Sequence, residues 1–146
     1  MATQLSVNGL CKQYESFALK NVSFEVLPGS ITGFIGRNGA GKTTTLKSLL
    51  NFVHPDKGEI RFFDRLFSQS EMEIKQRIGF VSGGIDYYPR KKLRTIAAVT
   101  KQFYNEWDDS AFQNYMTDFG LDGQKNPHEL SEGMKVKFSL ALALSH

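Results

Sequence analysis

The most specific chemistry in the chain sits in one short run. Gly36-Arg37-Asn38-Gly39-Ala40-Gly41-Lys42-Thr43 fits the pattern G-x-x-x-x-G-K-[ST] in full. Each residue type has a task. The glycines reach backbone angles closed to other residues, so main-chain N–H groups can curl around phosphate oxygens. Lys42 extends a point charge toward the β- and γ-phosphates of a nucleoside triphosphate, and the Thr43 hydroxyl suits Mg²⁺. A helix opening at Lys42 and Thr43, with Thr44 next, turns its positive end to the same anion. A second candidate is Leu130-Ser131-Glu132-Gly133-Met134. Here Ser131 is a helix N-cap and Gly133 lies in the first turn, which is equally the pattern of an ordinary capped helix.

These residues need elements to hold them. Gln4–Tyr14 and Leu19–Leu27 alternate apolar and polar residues and read as strands, with Pro28-Gly29 as the turn after them. Ile31–Ile35 reads as a short buried strand leading into the glycine-rich loop. Leu46, Leu49, Leu50 and Val53 recur at helical spacing behind it. Ile60–Phe63 and Ile78–Val81 read as further strands, with a short helix around Glu71–Arg77 between them. Beyond Pro89 the pattern is helical. Leu93, Ile96, Ala97, Phe103 and Tyr104 suit one helix; Phe112, Tyr115, Met116 and Phe119 suit a second, closed by Gly120 and Gly123. Ser131 caps a third. The expected division is α/β over about 1–85, helical over about 86–130, and a final helix over 131–146.

Composition narrows the class. With 146 residues, 40% hydrophobic and 23% charged, the chain is neither disordered nor fibrous. The longest uncharged runs, Met1–Cys11 and Val26–Gly36, are too short to cross a bilayer as a helix, and the N-terminus lacks the pattern of a signal peptide. Cys11 is the single cysteine, which fits a reducing compartment. The net charge is +3, and its densest cluster, Arg90-Lys91-Lys92 with Arg94, has no aromatic-basic stripe beside it, so no nucleic-acid partner is expected. His54 and His128 adjoin prolines in turns, His146 is terminal, and none is assigned to a metal.

Taken together, the motifs resemble the nucleotide-binding domain of ABC transporters. The glycine-rich loop stands as its Walker A motif. Ser131 and Gly133 match two positions of an L-S-G-G-Q signature, while Glu132 and Met134 depart from it. Tyr14, followed by Ala18-Leu19-Lys20-Asn21-Val22-Ser23-Phe24, looks like the A-loop aromatic and the strand after it. Pro55-Asp56-Lys57-Gly58-Glu59-Ile60 resembles the family's turn into the next strand, and Ile78-Gly79-Phe80-Val81 the strand leading to its Q-loop. The resemblance runs from Leu5 to His146. It implies an α/β P-loop NTPase fold with an antiparallel β subdomain and a helical subdomain, the C-terminal part of the core sheet lying outside this chain.

The functional implications follow residue by residue. ATP and Mg²⁺ are the implied ligands: ATP at Tyr14 (stacked on adenine), Gly36, Arg37, Asn38, Gly39, Ala40, Gly41, Lys42, Thr43 and Thr44, and Mg²⁺ at Thr43. Ser131 and Gly133 would meet the γ-phosphate held by a partner subunit. The implied partners are a second nucleotide-binding domain, in a homo- or heterodimer, and multi-span membrane permease subunits, with Ile85, Tyr87, Tyr88 and Pro89 as candidate docking residues. The implied location is cytoplasmic, peripheral on the inner face of the cell membrane. Gly83 stands where the family has its Q-loop glutamine, so that contact is absent or comes from Ser82 or Asp86. The Walker B Asp and Glu and the switch His come after the signature helix in the family, so no catalytic residue is assigned within the chain, and these 146 residues alone are expected to bind ATP weakly if at all and to hydrolyse it negligibly. Two other readings stay open: a binding-only regulatory module, and a soluble ABC-type ATPase uncoupled from transport.

Overall fold

The computed structural model describes residues 3–85 and 87–146. Two compact units form, Met1–Ile74 and Lys75–His146.

In the first unit the alternating segments become an antiparallel sheet, as their patterns require. β1 is Leu5–Gln13, β2 is Ala18–Val26, β3 is Lys57–Phe62 and β4 is Arg65–Leu66, in the order β2-β1-β3-β4. Val7 pairs with Phe24 on one side and Ile60 on the other, which puts the apolar set on one face. The register shifts after Val7, where Gly9 takes φ 63°. At Gly58 the backbones of β3 and β1 approach closely: a Cβ there would lie 2.6 Å from the Leu10 Cα. Asp56 fastens the turn before β3. Its carboxylate accepts bonds from Lys12 Nζ at 2.8 Å and Gln13 N at 2.7 Å, and its own N–H donates to the Cys11 carbonyl. Val7, Leu10, Leu19, Ile60 and Phe62 are buried. The unit's helices are α1, Lys42–Leu49, and α2, Phe67–Lys75, which bury Leu49, Phe67 and Ile74.

Three expectations about strands and the first helix fail. Ile31–Ile35 is not a strand, and Ile31 and Ile35 are almost fully exposed, at 102% and 95%. Among the described residues no strand pairs with it, and an apolar run needs a ladder partner to become a buried strand. Ile78–Val81, in the second unit, lacks a partner in the same way. In α1 the buried face is Thr45, Ser48 and Leu49, while Leu46 is exposed and Val53 lies beyond the helix end.

The second unit is helical. α3 is Leu93–Lys101, α4 is Asp109–Asp118 and α5 is Glu132–Ala143, with a single 3₁₀ turn at Pro127–Glu129. Phe103 lies past the end of α3 and is exposed, so it does not extend that helix's apolar stripe as expected. Asp108 caps α4 by accepting from the Ala111 N–H at 2.9 Å. Asn126 and Glu129 form a reciprocal capping box before Leu130. Leu93, Ile96, Phe112, Met116, Phe138 and Leu142 share one core, to which α5 contributes Phe138 and Leu142.

Candidate nucleotide site

The loop at residues 36–41 is built by its glycines. Gly39 and Gly41 hold φ 83° and 94°, in the left-handed region. Gly41 is the N-cap of α1, and no side chain caps the helix there. The first N–H groups of a helix have no partner within it, so Lys42, Thr43 and Thr44 present unpaired donors at this end. Gly41 is fixed on two counts. Besides its φ, a Cβ there would stand 2.8 Å from Leu19 Cδ1 and 2.9 Å from Phe17 Cζ. Lys42 folds back over the loop, its Nζ donating to the Gly36 carbonyl at 2.5 Å and the Arg37 carbonyl at 2.9 Å. An ammonium has three donors, so one remains for an anion.

These groups open on a cavity of about 620 Å³, lined by Ser16, Phe17, Asn38, Gly39, Gly41, Lys42, Thr43 and Thr44. Most of the expected loop residues therefore face one space. Gly36, Arg37 and Ala40 do not line it; the Ala40 N–H donates to the Arg37 carbonyl at 3.1 Å within the loop. Tyr14 is also absent from the lining. The residue is 39% exposed, its ring 6.3 Å from the Phe17 ring, with Lys12 Nζ 5.8 Å from its centroid. Phe17 and Ser16 are the residues that sequence reasoning missed. Their signal was position: both lie in the turn between Tyr14 and β2, across from Gly41.

Thr43 fits a hard cation, since a hydroxyl oxygen beside phosphates is a suitable ligand. Among the described residues no cluster of His, Cys, Asp or Glu could complete a metal site. Thr43 would hold such an ion through its hydroxyl, and the ion would supply positive charge to offset that of the phosphates. His54 and His128 are exposed, and His146 stacks on Tyr104 with centroids 3.5 Å apart.

In the second unit, Ser131 caps α5 as expected, its Oγ accepting from the Met134 N–H at 3.3 Å. Gly133 is exposed in the first turn, with open space where a Cβ would go. Gly83 holds φ 129° with nothing within 4 Å of its would-be Cβ. Room is thus available, but the backbone there is one that side-chain-bearing residues rarely adopt. Asp86, the alternative ligand, lies outside the described residues.

A loop with this geometry belongs to many nucleotide binders, so comparison with known proteins decides among them. The family model described as "ABC transporter" matches residues 19–146. The chain belongs to the ABC transporter family. It is 32% identical over 149 residues to the bacitracin transport ATP-binding protein BcrA of Bacillus licheniformis, covering all of this chain and 49% of that protein. It is 33% identical over 139 residues to the Nod factor export ATP-binding protein I of Burkholderia pseudomallei, covering 91% of this chain and 46% of that protein. A solved structure of the ATP-binding subunit of an ABC transporter superposes with a TM-score of 0.83 at 23% identity, over 97% of this chain and 61% of that one. The fold is therefore that of the ABC ATPase domain. The ABC chain spans about half the length of the curated relatives it matches.

Proposed function

We propose that this ABC chain is the nucleotide-gripping part of an ATPase subunit that drives transport through partner membrane subunits. One observation carries the reading: the Gly36–Thr43 loop, with Lys42 across its carbonyls, faces a cavity at the start of α1 that has the donors and the room for a nucleoside triphosphate. ATP binds there with its phosphates on the loop N–H groups and Lys42. Mg²⁺ binds at Thr43. The base lies toward Phe17 and Tyr14, whose rings offer faces that any purine could stack on. Ser131 and Gly133 complete the site of a partner subunit in a head-to-tail dimer of nucleotide-binding domains, homo- or heteromeric. ATP binding closes that dimer, and hydrolysis reopens it.

The relatives' names support coupling to transport. BcrA is a bacitracin transport protein, and one structural relative is described as part of the transporter complex cbiONQ. Among the described residues no helix is long and apolar enough to cross a membrane, so a membrane partner would supply the path. Tyr87, Tyr88 and Pro89 form an exposed ledge for that partner, the two tyrosine rings meeting edge to face at 5.7 Å. The complex would then sit on the cytoplasmic side of the membrane. The test is reconstitution of the intact natural protein with its membrane partner. Replacing Tyr87 and Tyr88 with Ala should leave ATP binding in place and break its link to transport; wild-type coupling in that variant would refute the docking role. A second reading, a binding-only module, draws on Gly83, which offers no side chain to a metal or a water. Steady ATP turnover by the intact protein would dismiss it.

A further inference from the structure

The start of α5 holds an ion pair with a backbone closed over it. Glu132 is the first residue of the helix and is largely solvent-exposed, at 83% of its side chain. Lys135, one turn on, reaches back with Nζ 2.6 Å from Glu132 Oε1 and is only 16% exposed. Gly84 lies against the pair. A Cβ at Gly84 would fall 2.7 Å from the Lys135 Cβ and 3.7 Å from Glu132 Oε2. The Lys135 stem thus packs on Gly84 while its ammonium meets Glu132. The consequence is electrostatic. A carboxylate in a first helical turn suits the bare helix end, but it opposes any second anion brought there. The Lys135 ammonium lies against that carboxylate and offsets its charge, while the Ser131 hydroxyl and the N–H groups of Glu132 and Gly133 stay at the helix tip.

We propose that Lys135 is a positioning residue for the nucleotide. It draws the Glu132 carboxylate back along α5 and offsets its charge, so that the Ser131–Gly133 turn accepts the γ-phosphate of a partner subunit's ATP. Gly84 holds Lys135 to that task, because only a residue without a Cβ lets the backbone lie so close. The inference rests on the reading above that Ser131 and Gly133 meet ATP across a dimer.

The experiment measures the ATP concentration that half-saturates dimer formation by the intact natural protein, by analytical ultracentrifugation. Circular dichroism melts report the folding of each variant. Lys135→Met should raise the half-saturating concentration about three- to tenfold, the size expected for uncovering one charge near another at the protein surface. Lys135→Arg should restore it, as should Glu132→Gln in the Lys135→Met background, because the uncovered carboxylate is then gone. A role confined to folding would move the melting temperature and would not be rescued by Glu132→Gln. If Lys135→Met matches the wild type, or if its defect persists in the double variant, the proposal is overturned. Ser131→Ala separates the two levels. If it leaves ATP-driven association unchanged, the dimer reading itself falls; if it weakens association while Lys135→Met does not, only the role of Lys135 falls.

Discussion

Gly41 is where the loop tolerates least. Its left-handed φ strains any side chain, and Leu19 and Phe17 occupy the space a Cβ would take. Gly41→Ala should therefore cost about 1–3 kcal/mol of stability from the backbone alone, and it should shift the N–H groups that meet phosphate. A urea titration reads the first effect and nucleotide binding the second. Phe17→Ala removes only the ring beside Gly41. It should weaken adenine-nucleotide binding while leaving binding of free triphosphate unchanged, which competition by each ligand would show. The sequence motif made the loop residues legible, because each type there has a single chemical reason. Phe17 was not legible, since its place in the cavity depends on how the β1–β2 turn folds over the loop. Tyr14 is legible by type and position, and it stands beside Phe17, with ring centroids 6.3 Å apart.

At the scale of elements, strands that pair locally and helices that carry their own caps were readable. β1 and β2 lie within a residue of the expected spans, and Ser131 caps α5. Asp108 acts in the same way on α4. Asp108→Ala should cost about 1 kcal/mol in denaturant unfolding and leave nucleotide affinity unchanged. The turn at Asp56 makes a pH prediction. Bonds from Lys12 and the Gln13 N–H hold the Asp56 carboxyl below its ordinary value of 3.8. The folded state thus releases this proton more readily than the unfolded state does. The stability gained is present above the ordinary value and disappears as pH falls through the lowered one. Asp56→Asn should flatten the dependence of the urea midpoint on pH between about pH 5 and about pH 2. What failed at this scale were Ile31–Ile35 and Ile78–Val81. Their apolar runs suit buried strands, but periodicity does not name a ladder partner, and none is found among the described residues.

At the scale of the molecule, exposed apolar surface and the grip on nucleotide are the two properties that matter. Ile31 and Ile35 in the first unit, and Leu140 and Leu144 in the second, are large apolar side chains open to solvent. Such surface drives association. Sedimentation of these 146 residues should show mass rising with concentration, and Ile31→Lys with Ile35→Lys should reduce that rise. The sequence made the family legible through motifs spread along nearly the whole chain. It did not show which apolar segments stand uncovered, because that depends on contacts no local pattern records. The central claim is that Lys42 and its loop hold the phosphates of ATP. The most direct measurement is equilibrium binding of a fluorescent ATP analogue to the intact natural protein and to its Lys42→Ala variant. Loss of a charge-assisted bond of about 1.5–3 kcal/mol should weaken binding roughly tenfold to a hundredfold. Equal affinity in the two proteins would contradict the account.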